Sequence, residues 1–263
     1  MSSDKILSHK DGGIGTLTFN NPERRNAVSQ EMWQLMPGYM ADLAGDDAIR
    51  VVILRGAGER AFVAGADISQ FKDRRRNMAD EEEYRRISGR GSAALAGLRK
   101  PLLAMIHGYC IGGGVGIAIG CDIRIAADDA RFGIPAARLG LGYHYNGMDK
   151  LIKLVGPSYT KEIFFTARTD WTAQDALRMG LINQVVPKAD LERFTRDYAL
   201  TIARNAPLTI LSAKSTVEQL ARPEAERDLA LLDKLMADCF NSEDYQEGVR
   251  AFTEKRRPEF HGR

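Results

Sequence analysis

Cysteine is scarce: the 263-residue chain carries three, Cys110, Cys121 and Cys239. They have no metal-ligand spacing. Cys110 and Cys121 sit in apolar stretches, where a free, buried thiol is the expectation. An excess of either charge is also missing. Lys and Arg number 37 against 35 Asp and Glu, so the net charge is +2, and no electrostatic footprint for nucleic acid is present. Long apolar runs are absent too. Nothing approaches the roughly 18 uninterrupted apolar residues of a spanning helix. The polar segment from Met1 to Lys10 has no apolar stretch of the kind a secretory signal needs. The expectation is a reduced, cytoplasmic protein with no nucleic-acid or membrane partner.

What is present suits a globular protein. Hydrophobic residues make up 44%, enough to bury a sizeable core, in one large domain or in one domain plus an appendage. Ile14 to Phe19 reads as a strand after the turn Asp11-Gly12-Gly13. Ser29 is placed to cap a helix from Gln30 to Leu43, with Met32, Leu35, Met36, Tyr39 and Met40 on one face and Pro37 as an awkward interior residue. Val51 to Leu54, Leu102 to Ile106 and Asp122 to Ala126 read as strands. Phe62 to Ile68 reads as a tight loop of small residues, and the polar segment from Arg74 to Arg86 as exposed and mobile. Strands alternating with helices predict an α/β architecture.

From about Thr160 the pattern turns helical. Lys161 to Thr166, Thr172 to Met179, Leu191 to Asn205, Pro207 to Leu220 and Glu224 to Cys239 fit a 3.6-residue period. Thr172 caps its helix and Gly180 stops it. A boundary is therefore expected near residue 190, between an α/β core (1–190) and a helical C-terminal part (191–263). The last of these helices has Leu229, Leu232, Leu235 and Met236 on one side.

Two small-residue loops carry the chemical interest. One is Ala64-Gly65-Ala66-Asp67-Ile68; the other is Gly112-Gly113-Gly114, leading into a helix that begins near Val115. Glycine lets a backbone approach a ligand closely, and a helix start leaves N–H groups without acceptors. Two facing loops of this kind can aim two donors at one carbonyl oxygen, where each well-placed donor is worth about 3–4 kcal/mol as charge develops. By itself, a glycine triplet is more often a packing device.

The order of several segments resembles the crotonase superfamily, the enoyl-CoA hydratase/isomerase family. These are Asn21-Pro22 with Asn26-Ala27; Phe62 to Ile68; His107-Gly108-Tyr109-Cys110-Ile111-Gly112-Gly113-Gly114; Cys121 to Ala126; Ala173 to Val186; and Phe252 to Phe260. The resemblance implies repeated ββα units wound into a spiral, a helical C-terminal trimerisation region, and a homotrimer or dimer of trimers. It implies acyl-CoA thioester substrates, with coenzyme A as part of the substrate and no tightly bound cofactor or metal. Carried over by position, the donors at the thioester oxygen are the N–H groups of Ala66 and Gly113. The coenzyme is expected along Arg24, Ala64, Gly65, Asp67 and Ile68, with Lys72 or the tail residues Lys255 and Arg256 near its phosphates; for the tail, helix-end charge pairing is an equal alternative.

One departure limits the carry-over. Hydratases of that family use two glutamates as acid and base, and their places here hold Gly116 and Ala136. Adding water across a double bond needs a group that takes a proton and one that delivers it, and neither residue does so. The nearest replacements are Tyr143, whose place carries chemistry in some relatives, and His144, whose ordinary pKa suits proton transfer. Tyr143 is favoured; both rings could equally shape the acyl pocket. Asp149 is a weaker candidate, and Asp122 is expected to make structural hydrogen bonds. A hydratase-type lyase, an acyl-CoA decarboxylase, a thioester hydrolase, a ring-closing synthase and a non-catalytic acyl-CoA-binding protein all remain open from the sequence.

Overall fold

The computed structural model describes residues 4–67 and 78–263. The chain opens with Ile6–Asp11 (β1) and Ile14–Phe19 (β2), an antiparallel pair, followed by Gln30–Gly45 (α1). Three strand–strand–helix units come next. Val51–Gly56 (β3) and Ala61–Val63 (β4) precede Met78–Ala96 (α2). Leu102–Ile106 (β5) and Tyr109–Ile111 (β6) precede Gly113–Ala118 (α3). Ile123–Ala127 (β7) and Arg131–Gly133 (β8) precede Tyr145–Thr166 (α4). Trp171–Thr172 (β9), Ala173–Met179 (α5) and Gln184–Val186 (β10) follow.

The first strand of each unit enters one sheet, in the order β1-β2-β3-β5-β7-β10; the second enters another, β4-β6-β8-β9. All pairings from β2 to β10 in the larger sheet are parallel. This is the repeated ββα plan that the family resemblance implies. It places the β3–β4, β5–β6 and β7–β8 connections side by side, at the carboxyl ends of the parallel strands.

Both faces of the larger sheet are covered, which is why its strands read as continuous apolar runs. Leu17, Phe19, Val52, Leu54, Leu102 and Ala104 share one core with Met32, Met36, Met40 and Leu43 of α1. Val51, Ile53, Leu103, Met105 and Ile125 face the other way, onto Leu191 and Ala199 of Leu191–Ala203 (α6). Each fully buried side chain of this size contributes about 1.5–3 kcal/mol. The first helix after residue 190 thus packs directly on the sheet.

Ser29 caps α1 as the sequence predicts, its Oγ accepting the Met32 N–H at 3.2 Å. Pro37 lies inside α1, which continues as one element. A proline has no N–H for the carbonyl four residues earlier, here that of Trp33. Gly91 of α2 packs against this spot: a Cβ there would lie 2.5 Å from the Trp33 ring and 3.0 Å from its carbonyl oxygen. Thr172 and Gly180 bound α5 as expected.

Several expectations are corrected. Residues 78–86 are not an irregular segment but the first half of α2; its polar composition hides a narrow buried stripe of Ile87, Gly91 and Leu95. Arg74, Arg75 and Arg76 lie outside the described residues. Residues 61–63 form β4, so the loop of small residues begins at Ala64. The run from Glu224 to Cys239 is not one helix: a short 3-10 turn at Glu224–Glu226 is followed by Leu229–Phe240 (α8), capped by Asp228. Before it comes Pro207–Leu220 (α7) and after it Glu243–Thr253 (α9). The tail folds back, with the His261 and Gly262 N–H groups donating to the buried Asp244 carboxylate at 2.7 and 2.8 Å. Among the described residues, no helix is long and apolar enough to cross a membrane.

Candidate active site

The two small-residue loops meet. Ala66 forms an isolated parallel bridge with Val28. The Val28 N–H donates to the Gly65 carbonyl at 2.9 Å and the Asp67 N–H to the Val28 carbonyl at 3.1 Å. This bridge uses the groups on either side of Ala66 and leaves the Ala66 N–H for the opposite side. Gly113 lies there: a Cβ built on it would be 3.7 Å from the Ala66 nitrogen. Gly113 opens α3, so its N–H is one of the first-turn donors with no acceptor inside the helix. Among the described residues, neither the Ala66 nor the Gly113 N–H is engaged by a turn, loop or cap carbonyl.

Backbone conformations only glycine adopts easily hold the loops together. Gly65 has φ 99° and Gly112 φ 56°, and a Cβ on Gly112 would lie 3.9 Å from the Gly65 Cα. The Gly112 N–H donates to the Gly133 carbonyl at 2.8 Å, tying the second loop to β8. At Gly114 a Cβ would fall 2.0 Å from the Val63 carbonyl oxygen. That contact brings α3 hard against β4.

Tyr143 reaches the same place. Its hydroxyl would be 3.8 Å from a Cβ on Gly112, and its ring packs edge-on against Phe164 at 5.0 Å. His144 is exposed, its Nδ1 accepts the Asn146 N–H at 3.4 Å to cap α4, and its ring is tilted against Tyr145 with centroids 4.1 Å apart. Asp149 is exposed and paired with Lys153 at 2.8 Å. Asp122 accepts the Leu102 N–H at 2.7 Å and the Lys214 ammonium at 2.9 Å, the structural role expected of it. Cys110 and Cys121 are buried and free; burial pushes the Cys121 thiol up to about 12.

Gly116 lies one turn beyond Gly113 on α3, exposed, with no described atom within 4 Å of where its Cβ would be. Ala136 is buried. No carboxylate stands at either position.

Arg24 is joined to Asp67 by its Nη1, 2.8 and 2.9 Å from the two carboxylate oxygens. The Arg24 side chain remains half exposed, so this pair lies at the surface next to Ala66. The Ala64 N–H donates to the Arg25 carbonyl at 3.0 Å. Ile68 and Lys72 lie outside the described residues. Lys255 is exposed just past α9, with φ 55°. The tail after it runs to Arg50 and Pro207, where Gly262 is packed. Arg50 precedes β3, whereas the loops meet beyond the other end of that strand. Arg256 is held by Glu247 and Glu254.

Val28 flanks Ala66, and Asn21 and Asn26 hold the turn that leads to Val28. In the sequence Asn21 and Asn26 stand out only as part of a segment shared with the family, with no indication of what they hold.

A family profile described as enoyl-CoA hydratase/isomerase matches residues 9–263. The chain belongs to the enoyl-CoA hydratase/isomerase family. This member is 34% identical over 259 residues to the short-chain-enoyl-CoA hydratase of Clostridium acetobutylicum, covering 98% of each chain. It is 29% identical over 260 residues to the crotonyl-CoA hydratase of Syntrophomonas wolfei, covering 99% of each. Its fold is similar to the crystal structure of an enoyl-CoA hydratase/carnithine racemase from Magnetospirillum magneticum, with TM-score 0.95, 32% identity and coverage of 100% and 97%.

Proposed function

We propose that this family member processes acyl-CoA thioesters by stabilising an enolate between the N–H groups of Ala66 and Gly113. The observation that supports the reading is their juxtaposition: a Cβ built on Gly113 would lie 3.7 Å from the Ala66 nitrogen. Donors fixed before the reaction need no reorganisation as charge builds on the thioester oxygen, which is the largest single contribution in many acyl-transfer and enolate enzymes.

The reaction proposed first is a hydratase-type lyase step, with Tyr143 as the nearest proton-handling group and no glutamate at positions 116 and 136. The names of the two hydratase relatives support it. In such a step the oxygen of water bonds to C3 of an enoyl thioester and loses a proton to a base of the Tyr143–His144 region or to solvent, the C2–C3 π electrons pass into the thioester enolate, and a proton then reaches C2. The Tyr143 hydroxyl, beside Gly112, stands at the edge of the donor pair and suits the delivery of a proton more than its removal, since a phenol has an ordinary pKa of about 10.

A second reading draws on the same absence of carboxylates. Decarboxylation of a malonyl-type thioester breaks a carbon–carbon bond, sends the electron pair into the thioester enolate, releases carbon dioxide and needs only a later proton at C2. No base is required for the cleavage. Loss of the crotonyl-CoA enone absorbance tests hydration; carbon dioxide release from methylmalonyl-CoA tests the second reading. Inertness to both, with acyl-CoA binding retained in calorimetry, would favour a non-catalytic binding protein.

The coenzyme is proposed to enter along Arg24, Ala64, Gly65 and Asp67. A homotrimer or dimer of trimers is also proposed. Leu229 and Met236 on α8 remain 58% and 54% exposed in the single chain while Leu235 is buried, and that apolar surface supports assembly.

A further inference from the structure

We infer that Asn26 is a positioning residue for the oxyanion site: it fixes the loop that carries the Ala66 donor, although it touches no substrate itself. The inference rests on the assignment of Ala66 and Gly113 as the donor pair.

Asn26 is fully buried and sits in the left-handed region at φ 56°, directly after Arg25 at φ 52°. Two successive non-glycine residues in that region are uncommon and cost free energy unless their surroundings hold them. The Asn26 amide does so. Its nitrogen donates to the Ala57 carbonyl at 3.0 Å and the Ala61 carbonyl at 2.7 Å, and its oxygen accepts the Asn21 N–H at 3.0 Å. Its backbone N–H donates to Asn21 at 2.8 Å. One side chain therefore spans the end of β3, the start of β4 and its own turn.

The node is built from the other side as well. Gly56 ends β3 at this point, and a Cβ on it would lie 2.5 Å from the Asn26 amide nitrogen and 2.3 Å from the Ala61 and Phe62 carbonyl oxygens. Backbone without a side chain is what admits the amide.

From that anchor the turn reaches the donor loop through consecutive residues. The Arg25 carbonyl accepts the Ala64 N–H, and Val28 makes the two bonds that flank Ala66. The Arg25 guanidinium lies over the Tyr109 ring at 4.8 Å, and Tyr109 begins β6, the strand that leads to Gly112 and Gly113. The Asn21–Val28 segment is thus in contact with both donor-bearing segments, and Asn26 is its buried fixed point.

Asn26→Asp keeps the shape and the acceptor for Asn21 but turns an oxygen toward the Ala57 and Ala61 carbonyls. Asn26→Ala removes the contacts without adding charge. The probe is butyryl-CoA labelled with carbon-13 at the thioester carbonyl, whose bound resonance moves downfield as hydrogen bonds polarise it. The expected result is a downfield displacement in the wild-type protein and loss of at least half of it in both variants, with dissociation constants within about threefold. A wild-type complex with no displacement would overturn the donor-pair assignment itself. Full displacement in the wild type and in the variants would overturn the role of Asn26 alone. Failure of Asn26→Ala to reach the wild-type circular dichroism spectrum would also overturn it, by making the residue a requirement of the whole fold.

Discussion

Replacing Gly113 by proline removes one proposed donor with little cost to folding. Gly113 is the first residue of α3, the position where a helix accepts proline because that N–H has no intrahelical partner. Gly112 before it has no Cβ, which relieves most of the clash a proline imposes on its predecessor. Around the Gly113 Cβ position the nearest atoms, Ala66 N and Gly65 C, stand at 3.7 Å, an ordinary contact distance. The Gly112 bond to Gly133 is untouched. What is lost is one of two donors to the developing oxyanion, worth about 3–4 kcal/mol or a hundred- to thousandfold in turnover. The assay is whichever of crotonyl-CoA hydration or methylmalonyl-CoA decarboxylation the wild-type protein performs, alongside a thermal melt. A folded variant that turns over within threefold of the wild type would refute the reasoning, since losing one of two donors should cost about a hundredfold or more.

Other expectations concern neighbouring parts. Tyr143→Phe keeps the edge contact with Phe164 and should lower turnover tenfold or more while acyl-CoA affinity stays within about threefold; unchanged turnover would leave the ring as a pocket wall. His107 is buried and its Nε2 has no hydrogen-bond partner among the described residues. Burial, and after it the Arg55 guanidinium, hold this imidazole below its ordinary 6.5. The unfolded chain then takes up the proton first as pH falls below 6.5, so stability should drop by up to about 1.4 kcal/mol per pH unit until the folded value is reached. His107→Gln should flatten that slope in urea melts between neutral and mildly acidic pH, and an unaltered slope would remove His107 from the account. Light scattering should give three or six times the chain mass; a monomer would contradict the proposed assembly.

Much of the sheet was legible because burial on both faces leaves an unbroken apolar run, as at Val51 to Leu54 and Leu102 to Ile106. The strand Ile6–Asp11 escaped because it is an edge strand with one buried residue, Ile6, and polar positions elsewhere. The helix Met78–Ala96 escaped for the same reason in helical form: three buried residues in nineteen leave a sequence that reads as solvated. Helix caps at Ser29 and Thr172 were legible because their signal is local. The candidate site was legible only through resemblance, since the approach of Ala66 to Gly113 joins residues that are distant along the chain. Residue type does not announce local use: nothing in the sequence marks the His144 side chain as a helix cap, or the Tyr143 hydroxyl as lying 3.8 Å from where a Gly112 Cβ would be.

The most direct test is a crystal structure of the protein with butyryl-CoA bound. The account predicts the thioester oxygen within about 2.7–3.1 Å of both the Ala66 and the Gly113 nitrogens. A thioester oxygen out of hydrogen-bond reach of either nitrogen, or either N–H donating instead to one of the protein's own carbonyls, would contradict it.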